Sequence, residues 1–220
     1  MPEHPFKYGR APVPKKQKTH PSPACMWYNG RTRKDAGENS MADTLKIEKE
    51  IQKLNLNQYS FIDPKELPFS QEVRDMCAQN ACGRHGTNWQ CPPGAGELSV
   101  LEARAKSFES AMLFNMVYKI EDSYDFEGMM AAQQSFSKTC NEVLLCVRSE
   151  YPQSYVMGAG GCNICAKCTY PNEPCRFPDR AIASMEACGI DVFSTSKKFG
   201  FEYIGGINTV TYFGVVFFRK

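Results

Sequence analysis

Histidine is nearly missing from this chain: of 220 residues only His4, His20 and His85 carry an imidazole. So small a number argues against a histidine-built metal site or a Ser-His-Asp arrangement, and leaves His85 as the only candidate outside the N-terminal stretch for acid-base work or ligation. No run of eighteen apolar residues occurs, which argues against a membrane-spanning helix. The N-terminus is polar and rich in proline and lysine and shows no apolar export segment, so a soluble, cytoplasmic protein is expected. A strong charge of one sign is lacking too. The formal net charge is +2, and residues 1–40 hold eight Lys/Arg against three Asp/Glu, which leaves residues 41–220 at −3. A mildly acidic body has no nucleic-acid signature.

What the chain has in quantity is cysteine, eleven in all. Without an export segment these read as thiols kept reduced in the cytosol and used as ligands rather than as disulfides. An anaerobic or microaerobic host is the natural setting. Four of them, Cys162, Cys165, Cys168 and Cys175, fall within fourteen residues in the pattern Cys-x2-Cys-x2-Cys-x6-Cys. Two-residue gaps let successive thiolates turn inward on one tight loop. A third cysteine at the same interval is the habit of cubane iron-sulfur binding, whereas a zinc ribbon has two separated Cys-x-x-Cys knuckles. The spacing favours a [4Fe-4S] cluster, with zinc as the alternative and disulfides a distant third. The last gap is longer than in bacterial ferredoxins, and the following proline, Pro178, stands three residues beyond Cys175.

A second group, Cys77, Cys82 and Cys91, precedes Pro92-Pro93-Gly94 in a segment that Gly83 and Gly86 mark as a loop. It is one ligand short of four. Candidates for the fourth are Cys140, Cys146, Cys188, His85, a water or a substrate atom, and ordinary buried cysteines remain the alternative to a metal site. Cys140 and Cys146 lie among apolar neighbours in a predicted helix, so a place in the core is expected for both. Cys188 stands between helix-end packing and ligation. Around the four-cysteine run, Lys167, Arg176 and Arg180 are placed to balance the negative charge of a thiolate-bound cluster. Gly158, Gly160 and Gly161 permit close backbone approach and N–H donation to sulfur. They lack the spacing and lysine of a phosphate-binding loop. Trp89, Tyr170 and Phe177 are candidates to shield a cluster from water.

The remaining segments give the fold. Residues 1–40, with six of the fourteen prolines, read as a flexible leader that is not necessarily native, with Met41 a candidate start; Cys25 within it is not expected to ligate. Ile47, Ile51 and Leu54 fall at helical spacing, with Asp43 or Thr44 as cap. Residues 61–68 should be extended or turn-like and 71–77 a short helix. The spacing predicts helices over 98–106, 129–150 and 179–189, with a further one over 193–199. Strands are predicted over 111–120, 155–157, 190–192 and 209–218, the first a continuous apolar run covered on both faces. This order predicts an α/β fold over 41–220, one mixed sheet with flanking helices and cysteine-rich metal-binding loops.

The order Cys77…Cys82-Gly…Trp89-Gln-Cys91-Pro-Pro, then Gly-Gly-Cys162 through Cys175-Arg-Phe-Pro, then Ser184-Met-Glu-Ala-Cys-Gly-Ile-Asp-Val192, resembles the DUF2284 family of predicted metal-binding proteins from about Leu67 to the C-terminus. The resemblance implies cysteine-bound metal, in the form of iron-sulfur clusters, in prokaryotes of largely anaerobic habit. It supports Cys77, Cys82, Cys91, Cys162, Cys165, Cys168 and Cys175 as ligands and implies no reaction. Three functions are open at this point: one-electron transfer to a partner redox enzyme, an enzyme whose three-cysteine cluster presents an open iron to a pocket near Arg84, His85 and Trp89, and a zinc-stapled interaction module.

Overall fold

The computed structural model describes residues 47–219. The expected leader, Cys25 and the cap at Asp43 or Thr44 lie outside the described residues. Five strands form one mixed sheet in the order β1-β2-β5-β3-β4. They are β1 (Gln58–Ile62), β2 (Ser110–Lys119), β3 (Gln153–Gly158), β4 (Ala183–Ser184) and β5 (Thr209–Arg219). All pairings are antiparallel except the short parallel one that sets Met157 opposite Ala183 and Gly158 opposite Ser184.

β2 and β5 are central because their sequences can be buried on both sides. Met112, Phe114, Val216 and Phe218 point to one face, and Ala111, Leu113, Val215 and Phe217 to the other. Helices α1 (residues 47–53) and α4 (Phe126–Arg148) cover the first face. From α4 come Phe136, Cys140, Val143, Leu144 and Val147, one stripe at helical spacing and all buried. Phe136 is fully buried with its ring 5.8 Å from those of Phe114 and Tyr212. The second face is covered by α3 (Leu98–Lys106), α5 (Val192–Lys198) and the turn of 3-10 helix at Glu186–Cys188. The α/β fold with a single mixed sheet is therefore as the sequence predicts.

Several boundaries differ for physical reasons. α4 begins a turn earlier than expected because Asp125 caps it, accepting the Gly128 N–H at 2.7 Å. The helix predicted over 179–189 does not form. The N–H groups of Arg180 and Ala181 close one turn on Phe177, and the chain then extends through Ala183–Ser184 to pair with β3. Sheet pairing here overrides local propensity. The strand predicted over 190–192 shrinks to a single bridge between Ile190 and Phe69, because the Asp191 side chain turns to cap α5. Strand β1 starts at Gln58, ahead of the extended segment expected from Phe61.

Two long connections are left without regular structure: residues 80–97, between the helical turn that follows α2 (Gln71–Met76) and α3, and residues 159–182, between β3 and β4. Connections of more than about 12–15 residues without secondary structure are uncommon and usually functional. Both carry cysteines.

Candidate metal centre

β3 ends at Gly158 with its carbonyl accepting the Met185 N–H at 2.9 Å, and the chain leaves the sheet there. The sulfur of Cys140 occupies the place a side chain would need at Gly158, 2.9 Å from the position of a Cβ. Gln133 of α4 holds the exit by donating to the Ala159 carbonyl at 2.7 Å. The four-cysteine run follows immediately.

Cys162, Cys165, Cys168 and Cys175 all line one recess, together with Asn88, Trp89 and Gln90 from the other long connection. The space free of protein atoms is about 360 Å³, part of it open to solvent. All four thiols are partly buried. Around Cys168 the backbone N–H groups of Tyr170, Trp89 and Thr169 favour the thiolate over the thiol. Burial by itself would raise this thiol; the three donors and the Arg176 charge outweigh it and hold Cys168 below its ordinary range. Arg176 is fixed by donating to the Lys167 carbonyl at 3.1 Å. Arg180 instead stacks on Phe177, its guanidinium 5.7 Å from the ring centre.

The aromatic residues knit the two connections together. Trp89 donates from its indole N–H to the Glu173 carbonyl at 2.9 Å, and its ring meets Tyr170 edge to face at 4.9 Å. Phe177 lines the recess and is partly exposed.

Cys77, Cys82 and Cys91 lie on and just before the adjoining connection, with the Cys91 sulfur 3.5 Å from the position of a Cβ at Gly161, next to Cys162. Cys77 is the C-cap of α2, Cys82 is exposed and Cys91 is buried. Their sulfurs lie close enough to feel one another's charge. Burial pushes the Cys77 thiol up, Cys82 and Glu186 add to this, and Arg74 opposes it. At Cys91 burial again acts first and upward, the Asn88 amide pulls back by hydrogen bonding to the sulfur, and Cys82 and Cys77 push up against Arg84.

Of the candidates for a fourth ligand, the structure places Cys140 and Cys188 in the two cores, 0 % and 2 % exposed. Burial raises both thiols, Cys188 to about 12. Cys146 packs at the edge of the α4 core. His85 is partly buried in the loop, its backbone N–H bonded to Asn80 Oδ1 at 2.9 Å.

Three residues here escaped the sequence analysis. Arg74 is buried and donates to the carbonyls of Ala187 and Gly96, pinning α2 to the turn at Glu186–Cys188. Its partners are 113 and 22 residues away, so no local signal marks it. Glu186 turns its carboxylate inward near Cys77; burial raises its pKa, opposed by bonds from its own N–H and Ser184. A signal existed in its place within the Ser184–Val192 motif. Asn88, 3 % exposed, touches both cysteine groups and stands out in the sequence only by adjoining Trp89.

Among the described residues no three His, Cys, Asp or Glu side chains close around a point that one metal ion would occupy. Tetrahedral zinc, with bonds of about 2.3 Å, requires thiolates within about 4 Å of one another. A cubane carries an iron under each thiolate, which keeps its sulfur ligands further apart around a shared body. Four thiols on the walls of one recess, a neighbouring guanidinium and aromatic cover fit such a cluster.

Among the described residues no helix is long and apolar enough to cross a membrane. A family model described as predicted metal-binding protein (DUF2284) matches residues 60–218. Neither a curated protein nor a solved structure matches the chain.

Proposed function

The chain belongs to the DUF2284 family of predicted metal-binding proteins, and from that premise we propose that it carries [4Fe-4S] clusters and passes single electrons to a partner redox protein. The first cluster is held by Cys162, Cys165, Cys168 and Cys175, the second by Cys77, Cys82 and Cys91. One observation carries this reading: all four cysteines of the run line a single recess.

A bound cubane supplies one-electron chemistry, and the chain's own residues set its conditions. The N–H groups of Tyr170, Trp89 and Thr169 stabilise charge on the Cys168 sulfur, and Arg176 adds a positive charge beside it. Both effects favour the more negative, reduced state and raise the potential. Trp89 and Phe177, both on the recess wall, limit water there.

The three-cysteine group favours a second reading at that position. Among the described residues the remaining thiols lie in or against the two cores, Cys140 and Cys188 buried and Cys146 partly so. An iron there with an exchangeable position would bind and polarise a small substrate as a Lewis acid.

Anaerobic reconstitution with iron and sulfide, followed by metal counting and EPR, tests the proposal. We expect stoichiometric iron and inorganic sulfide and a reducible cubane signal, abolished at the first centre by Cys165→Ala. Stoichiometric zinc without iron after anaerobic purification would overturn it and leave a zinc-stapled interaction module.

A further inference from the structure

The two cysteine groups share a wall. Cys91 belongs to the three-cysteine group, while the three residues before it, Asn88, Trp89 and Gln90, line the recess of the four-cysteine group. The Asn88 carbonyl accepts the Cys91 N–H at 3.4 Å, and the next residue, Trp89, lines the recess together with Cys168. Contact is repeated from the other side. A Cβ placed on Gly161 would lie 3.5 Å from the Cys91 sulfur and 3.2 Å from Cγ of Arg84, and the residue after Gly161 is Cys162. The Cys91 sulfur is therefore packed against backbone that bears a ligand of the other group. A side chain at 161 would press on the Arg84 stem and touch the Cys91 sulfur.

The inner part of the wall is buried and held in place, while Trp89 and Gln90 also face solvent. Cys91 is 7 % exposed and Asn88 3 %. The Trp89 indole bond to Glu173 locks the loops, as does the close fit of Gly94 beneath Tyr170, where a Cβ would come within 2.8 Å of ring carbon Cε2. Rigid, water-poor contact keeps reorganisation small when charge moves.

We propose that the two centres work as one electron-exchanging pair across the Asn88–Cys91 wall; this rests on the preceding reading that iron-sulfur clusters occupy both groups. In the step, the cluster on one group loses one electron and is oxidised, and the cluster on the other gains it and is reduced. No bond forms or breaks and no proton moves. The redox partner protein is the outside one-electron donor or acceptor. Cys82 is exposed and Cys162, Cys165, Cys168 and Cys175 are partly exposed, so each centre has a side open to that partner.

The experiment is stepwise reduction of the anaerobically reconstituted full chain, followed by EPR and iron analysis. With about eight irons per chain, we expect a simple spectrum while one cluster is reduced and a split, broadened one when both are. Recording at two microwave frequencies separates spin-spin splitting from g-anisotropy without any variant. In Cys82→Ala, iron should fall about twofold and the splitting should vanish. Two fully reduced clusters whose spectra simply add would overturn the pairing. So would about four irons in the unaltered chain, although the four-cysteine centre would then stand. A chain that takes up no iron would instead overturn the proposed function itself.

Discussion

Phe136 and Cys165 belong to differently organised regions. Phe136 is fully buried between β2, β5 and the rest of α4, in a face where apolar burial and a continuous ladder of strand hydrogen bonds act together. Cys165 lies in a stretch, residues 160–168, that makes no backbone-to-backbone hydrogen bond among the described residues. It is held through side chains, including Arg176 on the Lys167 carbonyl, and through the neighbouring Trp89 loop. The sheet can pay its ordering cost from its own core, whereas the cysteine loops have thiols in place of apolar cover and gain their order from what the thiols bind.

The comparison is broken most strongly from the sheet side. Phe136→Ala should lower the unfolding free energy by about 3–5 kcal/mol with or without metal, as read by urea denaturation. An equally large loss on chelation alone would show that the loops, not the core, hold the fold. Cys165→Ala should remove metal from the four-cysteine centre and speed amide exchange across residues 159–181, while β2 and β5 stay protected at nearly their original level. Slow exchange in both regions would erase the distinction.

Glu186 sharpens it at the boundary between the two. Burial raises its pKa, so the folded chain holds that proton more tightly than the unfolded one, and stability is lost as pH rises through the folded value. Glu186→Gln should therefore be more stable than the parent at pH 7, with the gap closing below the ordinary carboxylate range; pH-dependent thermal denaturation reads this. Asp191 should give the opposite slope and the smallest effect. Burial would raise its pKa, but the Ser194 hydroxyl and the N–H groups of Ser194 and Phe193 outweigh it and lower it. Its contribution is present at neutral pH and lost on acidification, and Asp191→Ala should cost about 1 kcal/mol at pH 7 and nothing at pH 2.

Local pattern accounts for most of what the sequence made legible. β2 and β5 are long, β-branched and aromatic, and α4 carries an apolar stripe across its whole length; nothing nearby competes with those signals. The segment after Pro178 has helical propensity, but its fate is decided by β3, more than twenty residues earlier in the chain. The four-cysteine run was legible because all its ligands are local. Arg74 and Asn88 were not, since each matters through neighbours that only the fold brings beside it, and Glu186 was marked only by its place in the Ser184–Val192 motif. The adjacency of Gly161 and Cys91 is of the same kind, seventy residues apart in sequence.

The most direct test is an anaerobic crystal of the full chain measured on either side of the iron absorption edge. The account predicts strong anomalous density inside the recess walled by Cys162, Cys165, Cys168 and Cys175, with a second site beside Cys77, Cys82 and Cys91. Anomalous density at the zinc edge alone, or iron lying away from those seven sulfurs, would contradict it.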